Sequence, residues 1–390
     1  MIKIKNDVIA TVCIATILFW AVVTLGVSLA IIPLYVNIGF SSFFVGLTVG
    51  VQSLSTLLSR AFAGNYSDQY GPRKGMFIGL SMALVSGVIC FFIFYFPLYN
   101  SITYIILLLS RIIMGIGESF IFTCTGTWAI GLIGREHAGK IMSWVGIAMF
   151  LGLSLGNYTG TYLFYNSSII YGGLIMSFLP FIGIIIATIV RPVPVAKERN
   201  KNSLIFAIKR IWKPGLGFAL ANTGYAAITT YLVLFYSSKG WEQNAAMGLA
   251  LFGIGYVFSR ITLGGFADKA GIKMTISSLL IESLGLLMIG LSTSPYIAMV
   301  GSFLTGYGLS MVYPLLALPA LKRMPKESTG LALSTYESCF DIGMLSASFI
   351  GGIIIPVFDF SSIYFLCFIF CMLSIILSLL SYKQIKDEDI

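Results

Sequence analysis

Ser59-Arg60-Ala61-Phe62-Ala63-Gly64-Asn65-Tyr66-Ser67-Asp68-Gln69-Tyr70-Gly71-Pro72-Arg73-Lys74 lies between two long apolar runs. Its pattern returns as Ser259-Arg260-Ile261-Thr262-Leu263-Gly264-Gly265-Phe266-Ala267-Asp268-Lys269-Ala270-Gly271-Ile272-Lys273. Ser, Arg, Gly, Asp and Gly recur in the same order, each 200 positions on, close to half of the 390-residue chain. A duplicated unit explains that spacing; a chance motif does not easily do so. In each copy an arginine (Arg60, Arg260) closes an apolar run. An aspartate (Asp68, Asp268) follows, able to accept hydrogen bonds from helix amides or to pair with an arginine. A glycine (Gly71, Gly271) then allows a tight turn, because glycine tolerates positive φ. With Gly64, Gly264, Arg73 and Lys273 these residues are read as paired gating hinges, whose contacts form in one conformation and break in another. The alternative is that the charges only mark the membrane surface.

The composition says what lies on either side of the hinges. Hydrophobic residues make up 57% of the chain and charged residues only 10%, against about 25% charged in a soluble domain. Apolar runs of at least ~18 residues, the length that crosses a bilayer, recur from end to end. Twelve spans are expected, near 8–36, 43–62, 75–96, 102–132, 141–164, 169–190, 215–237, 245–266, 274–291, 296–321, 330–357 and 363–382. The first run is too long for the apolar part of a signal peptide. One long charged connection, 191–213, divides the chain into an N-terminal six-helix bundle, 1–190, and a C-terminal one, 214–390.

The net charge of +9 is not spread as a nucleic-acid surface would be. Alternate connections hold nearly all the Lys and Arg, and the other set holds only Lys239. Basic loops stay inside, so both termini are expected in the cytoplasm. The six cysteines, Cys13, Cys90, Cys124, Cys339, Cys367 and Cys371, all lie in apolar runs and read as packing residues. No metal site and no cofactor is expected. The single histidine, His137, falls in a loop. A nucleophile with its base is lacking, as is a Walker-type loop, so an enzyme or an ATP-driven pump is not expected.

The doubled hinge resembles the major facilitator superfamily, whose connection between spans two and three reads Gly-x-x-x-Asp-Arg-x-Gly with basic residues after it. Gly64, Asp68, Gly71, Arg73 and Lys74 match, with Gln69 in place of the usual Arg. Gly264, Asp268, Lys269, Gly271 and Lys273 match in the second copy. The resemblance covers the whole chain. It implies an all-helical membrane protein of two pseudo-symmetric six-helix halves, working as a monomer in the bacterial cytoplasmic membrane. Its partners would be a small-molecule substrate, protons and lipid.

Ionisable groups at bilayer depth are costly, so each is a functional candidate. Five qualify: Arg111 and Glu118 in span four, Glu282 in span nine, Glu337 and Asp341 in span eleven. Arg111 and Glu118 are seven residues apart, two helical turns or about 10 Å along one face. Arg111 cannot deprotonate and bears on the charge of any carboxylate near it; a structural Arg–Glu pair is the alternative. Glu337 and Asp341 share a face of span eleven. Two carboxylates that close resist ionising together, which makes either a candidate proton carrier or a seat for a solute's ammonium group. One cation and up to four acids make an amphoteric cavity, suited to a polar or zwitterionic solute.

The run Arg111-Ile-Ile-Met-Gly115-Ile-Gly117 resembles the span-four motif of the superfamily's drug:proton antiporters, in which the Arg is implicated in proton transfer. Gly115 and Gly117, like Gly152, Gly156 and Gly160 in span five, let another helix approach closely. In span five Asn157 replaces the antiporters' Pro, and Thr161 their last Gly. Spans four and five together read Ser110-Arg111, Gly115-Ile-Gly117-Glu118-Ser119-Phe120, Trp128 and Ser143-Trp144-Val-Gly146, a set that resembles a bacterial arabinose-efflux-like subfamily, whose relatives include exporters of opine-type metallophores such as staphylopine. The resemblance implies proton-coupled efflux. Solute import, sugar or drug efflux by the same fold, and a non-transport membrane protein are the alternatives.

Overall fold

The computed structural model describes residues 2–97, 100–133, 138–193, 204–263, 267–324 and 329–388. They form twelve helices: α1 (Ile2–Gly39), α2 (Ser42–Tyr70), α3 (Pro72–Tyr95), α4 (Ser101–Ile133), α5 (Ala138–Asn166), α6 (Ile169–Ile189), α7 (Leu204–Ser238), α8 (Glu242–Leu263), α9 (Ala267–Gly290), α10 (Pro295–Lys322), α11 (Thr329–Ile354) and α12 (Ser361–Glu388). Over their described residues, eleven of them are long and apolar enough to cross a membrane.

All-helical structure follows from the solvent. A bilayer core offers no hydrogen bonds, so each backbone N–H and C=O must be satisfied within its own helix. Helix starts at four short connections are closed by side chains. Asn100 accepts from the amide of Thr103 (2.9 Å), Ser168 from Ile170 (3.3 Å), Ser294 from Ile297 (3.5 Å) and Asp359 from Ser362 (3.0 Å). Each satisfies an amide that the first helical turn leaves free.

The chain divides into two compact units, 1–197 and 198–390, and one packing scheme serves both. In the first, α1 packs on α5, α6 and α4, while α4 also packs on α2 and α3, and α3 on α6. In the second, α7 packs on α11, α12 and α10, while α10 also packs on α8 and α9, and α9 on α12. The first helix of each unit is its core: 89% of the apolar window of α1 and 94% of that of α7 is buried.

Small residues bring the helices together, since lipid supplies no hydrophobic drive between them. Gly152, Gly156 and Gly160 of α5 lie on the α1 backbone. An added Cβ on Gly156 would sit 2.9 Å from Gly26 Cα and 3.0 Å from Val27 N. Gly115 nests on Gln52 and Thr56 of α2, and Gly117 on Gly79 and Ala83 of α3. In the second unit Gly306 nests on Phe252 of α8, and Gly308 on Ser278 and Glu282 of α9.

The hinge departs from the expected loop. α2 does not end near residue 62 but continues to Tyr70, with Gly64 inside it. Nothing between 62 and 70 breaks a helix until Gly71-Pro72, where Gly71 takes φ 90° and Pro72 starts α3. Gly271 does the same at φ 54° inside α9. The connection expected over 191–213 is shorter as well: α7 begins at Leu204 and runs through Pro214.

Gly156→Leu is expected to remove the single sharp size-exclusion peak of the detergent-solubilised protein, because α1 and α5 can no longer touch. Gly146→Ala, with nothing within 4 Å of the added carbon, leaves the peak unchanged.

Candidate functional site

Arg111 of α4 is 1% exposed and carries a charge that cannot be shed. Burying such a group costs several kcal/mol unless each of its donors is met. A guanidinium has five N–H donors, and five acceptors surround this one. Nε donates to Ser110 Oγ (3.2 Å). Nη1 donates to Ser28 Oγ of α1 and to Gln52 Oε1 of α2 (3.4 Å). Nη2 donates to Ser86 Oγ (2.9 Å) and Cys90 Sγ (3.1 Å), both of α3. All five are neutral, and four helices contribute them.

Arg111 and Glu118, read as sharing a face of α4, are linked indirectly. Gln52 stands between the two groups: its Nε2 donates to Glu118 Oε2 at 3.0 Å. Arg111 can only donate, so the amide oxygen of Gln52 must face it and the NH2 must face Glu118. The Thr56 hydroxyl is a further neighbour of Glu118 Oε2, at 3.4 Å, and lies 3.1 Å from the Gly115 carbonyl. Glu118 is partly exposed while Arg111 is sealed. The site therefore joins a fixed buried cation, a neutral relay and an acid within reach of solvent.

At the equivalent positions of the second unit this chemistry is absent. Aligning Gly306 and Gly308 with Gly115 and Gly117 sets Phe252 against Gln52, Ser302 against Arg111 and Leu309 against Glu118; all three are buried. The acids of this unit lie elsewhere. Glu337 of α11 is partly exposed and accepts from Tyr313 Oη of α10 at 3.1 Å. The hydroxyl of Tyr336 donates to the Tyr313 carbonyl (3.1 Å), and the Phe218 ring of α7 stacks on Tyr336 with centroids 4.6 Å apart. Asp341, one turn on from Glu337, is 3% exposed. Glu282 has no exposed surface, so it lines no open cavity here.

The hinge residues hold their own units together. Arg73 donates from Nε to the Ala187 carbonyl (3.1 Å) and from Nη2 to that of Thr188 (2.6 Å). It thereby satisfies the carbonyls at the end of α6, where a cation is also favoured by the helix dipole. Arg60 is 8% exposed. Arg260 donates to Tyr256 Oη (3.2 Å), with its guanidinium 5.5 Å from that ring's centroid. Lys273 is exposed. Gly264 and His137 lie outside the described residues, as do the side chains of Asp68, Asp268 and Lys269.

Sequence reading missed Gln52 and the acceptors Ser28, Ser86 and Cys90. The available signal was polarity: Gln52 is an uncharged amide in the middle of an apolar run, where a side chain of that kind needs partners.

Two bundles of this topology, with a charged relay buried in one of them, define a solute transporter. The family model for the Major Facilitator Superfamily matches residues 11–277 and 245–389. An MFS-type transporter of Escherichia coli K12, YhhS, is 34% identical over 333 residues, 84% of this chain and 81% of that protein. An MFS-type transporter of Burkholderia pseudomallei strain 1106a is 30% identical over 376 residues, 96% of this chain and 92% of that one. Among solved structures, the nucleoside transporter NupG superposes with a TM-score of 0.77 at 11% identity, covering 96% of this chain and all of that one. The human organic anion transporter MFSD10 gives 0.70 at 13%, covering 95% and 99%. The chain belongs to the Major Facilitator Superfamily: it is a multi-pass membrane transporter of small molecules and not an enzyme.

Gln52→Leu leaves one Arg111 N–H without an acceptor and should destabilise the protein by about 1–3 kcal/mol, read as a lower thermal midpoint in detergent. Ser55→Ala, which removes only an exposed bond to the Ile112 carbonyl, leaves the midpoint where it is.

Proposed function

We propose that the protein is a proton-coupled exporter of a small polar or zwitterionic organic solute, with opine-type metallophores such as staphylopine as the substrate class. The observation that carries this reading is the Arg111–Gln52–Glu118 relay. Glu118 is the member that solvent reaches. A proton and a solute's ammonium group compete for its carboxylate, so that binding one releases the other. That competition is the condition for exchange of solute against protons. Arg111 makes the competition sensitive to charge, because it is linked to Glu118 through Gln52.

Glu337 with Tyr313, and Asp341 beside them, supply a second acidic patch in the C-terminal unit. Several acids around Arg111 and along α11 favour a solute that carries amines as well as carboxylates. The names of two structural neighbours, a nucleoside and an organic anion transporter, also speak for polar organic cargo. The resemblance in spans four and five supports the outward direction. The hinge pairs at Asp68 and Asp268 are the proposed gating elements, on the cytoplasmic side with both termini. The protein would act as a monomer in the bacterial inner membrane.

Metabolite profiling of a deletion strain against its parent tests direction and substrate together. A compound bearing amines and carboxylates should fall in the medium and rise in the cells; its accumulation outside instead would make the protein an importer. That compound, added to inverted vesicles loaded with a pH dye, should move protons in the parent. Glu118→Gln should abolish the signal while leaving protein abundance unchanged, and Asp341→Asn should weaken it. Equal signals from all three remove both carboxylates from coupling.

A further inference from the structure

Glu282 stands apart from the relay and from the acids of α11. It has no exposed surface, and neither carboxyl oxygen has a well-formed hydrogen bond among the described residues. Three helices close around it. On α7, an added Cβ at Gly224 would lie 3.3 Å from its Oε1. On α10, one at Gly308 would lie 2.5 Å from its amide nitrogen. On α12, the titratable groups that face it are the thiols of Cys367 and Cys371. The Cys371 thiol, a weak donor, also reaches the carboxyl; the well-formed bonds of the donors around it go elsewhere. Cys371 donates to the Leu279 carbonyl (3.2 Å) and Cys367 to that of Thr223 (3.3 Å). On α9 itself Ser283 donates to the Leu280 carbonyl (2.9 Å).

An ionised carboxylate with no cation beside it and no donor stronger than a thiol is not sustained in such a place; the group survives there as the neutral acid. The packing does not require a carboxyl at this point. Gly117 of α4 nests on Gly79 and Ala83 of α3 as Gly308 nests on Ser278 and Glu282, so the first unit fills the equivalent place with Ala83, a buried methyl group. A costly polar group at a position that an apolar one serves equally well marks a functional site.

We propose that Glu282 is a proton-holding site of the C-terminal unit, sealed by α7, α10 and α12 and able to exchange its proton only when these helices part from α9. It is a second proton site, separate from Glu118. Opening is the step that admits water, so exchange reports on the packing of α9.

The test is infrared spectroscopy of the full-length protein in lipid nanodiscs, at a pH where exposed carboxylates are ionised. The parent and Glu118→Gln should show the stretch of a neutral carboxylic acid that is at most weakly hydrogen-bonded. Glu282→Gln and Glu282→Met should lack it. On transfer to heavy water the band should shift slowly, over the time of helix opening. Glu282→Met should melt at the parent's temperature or above it. A spectrum unaltered in Glu282→Gln, an immediate isotope shift, or a clear loss of stability in Glu282→Met would each overturn the proposal. The first means an ionised group, the second an open one, the third a structural one. None of these readouts uses a transported solute, so they stand or fall separately from the efflux assignment.

Discussion

A guanidinium at bilayer depth imposes a strict condition: every N–H must find an oxygen or a sulfur, because no water will serve. Arg111 meets that condition with acceptors from α1, α2, α3 and α4. One side chain thus fixes how four helices of the N-terminal unit approach one another. Gly115 and Gly117, just beyond it on α4, remove the side chains that would hold α2 and α3 away. The charge and the glycines act together. Without close approach the acceptors would not reach, and without the acceptors the charge could not stay.

The two units share a helical scheme and differ in chemistry. Where the first has Gln52, Arg111 and Glu118, the second has Phe252, Ser302 and Leu309; where the second has Glu282, the first has Ala83. One helical frame accommodates either set at the same places. Duplication supplies a scaffold twice, and a few buried positions have since diverged.

The duplicated hinge shows how few residues are needed to turn a chain at the membrane edge. Gly71 and Gly271 leave the helical region with positive φ, and the helix before Gly71 runs unbroken through Gly64. Arg73 then ties the start of α3 to the end of α6 through two carbonyls. A basic residue that sequence reading assigns to gating also closes a helix end within its own unit. The two roles are compatible, since a bond to exposed carbonyls at a helix terminus is easily exchanged for water.

The sequence by itself determined the class: apolar runs of spanning length leave helices as the only available backbone, and the 200-residue repeat divides them into two like bundles. It also marked Arg111, Glu118, Glu282, Glu337 and Asp341, because a charge inside an apolar run is conspicuous in one dimension. It could not say which of these meet. Seven residues along α4 put Arg111 and Glu118 on one helix face, but the group that links them is Gln52, from another helix and 59 positions from Arg111. Glu282 looked like a cavity residue and is enclosed, because glycines on α7 and α10 bring those helices against it. Periodicity is a local property of the chain and can be read from it; the partners of a buried polar group are set by the packing of distant helices, which only the tertiary structure decides.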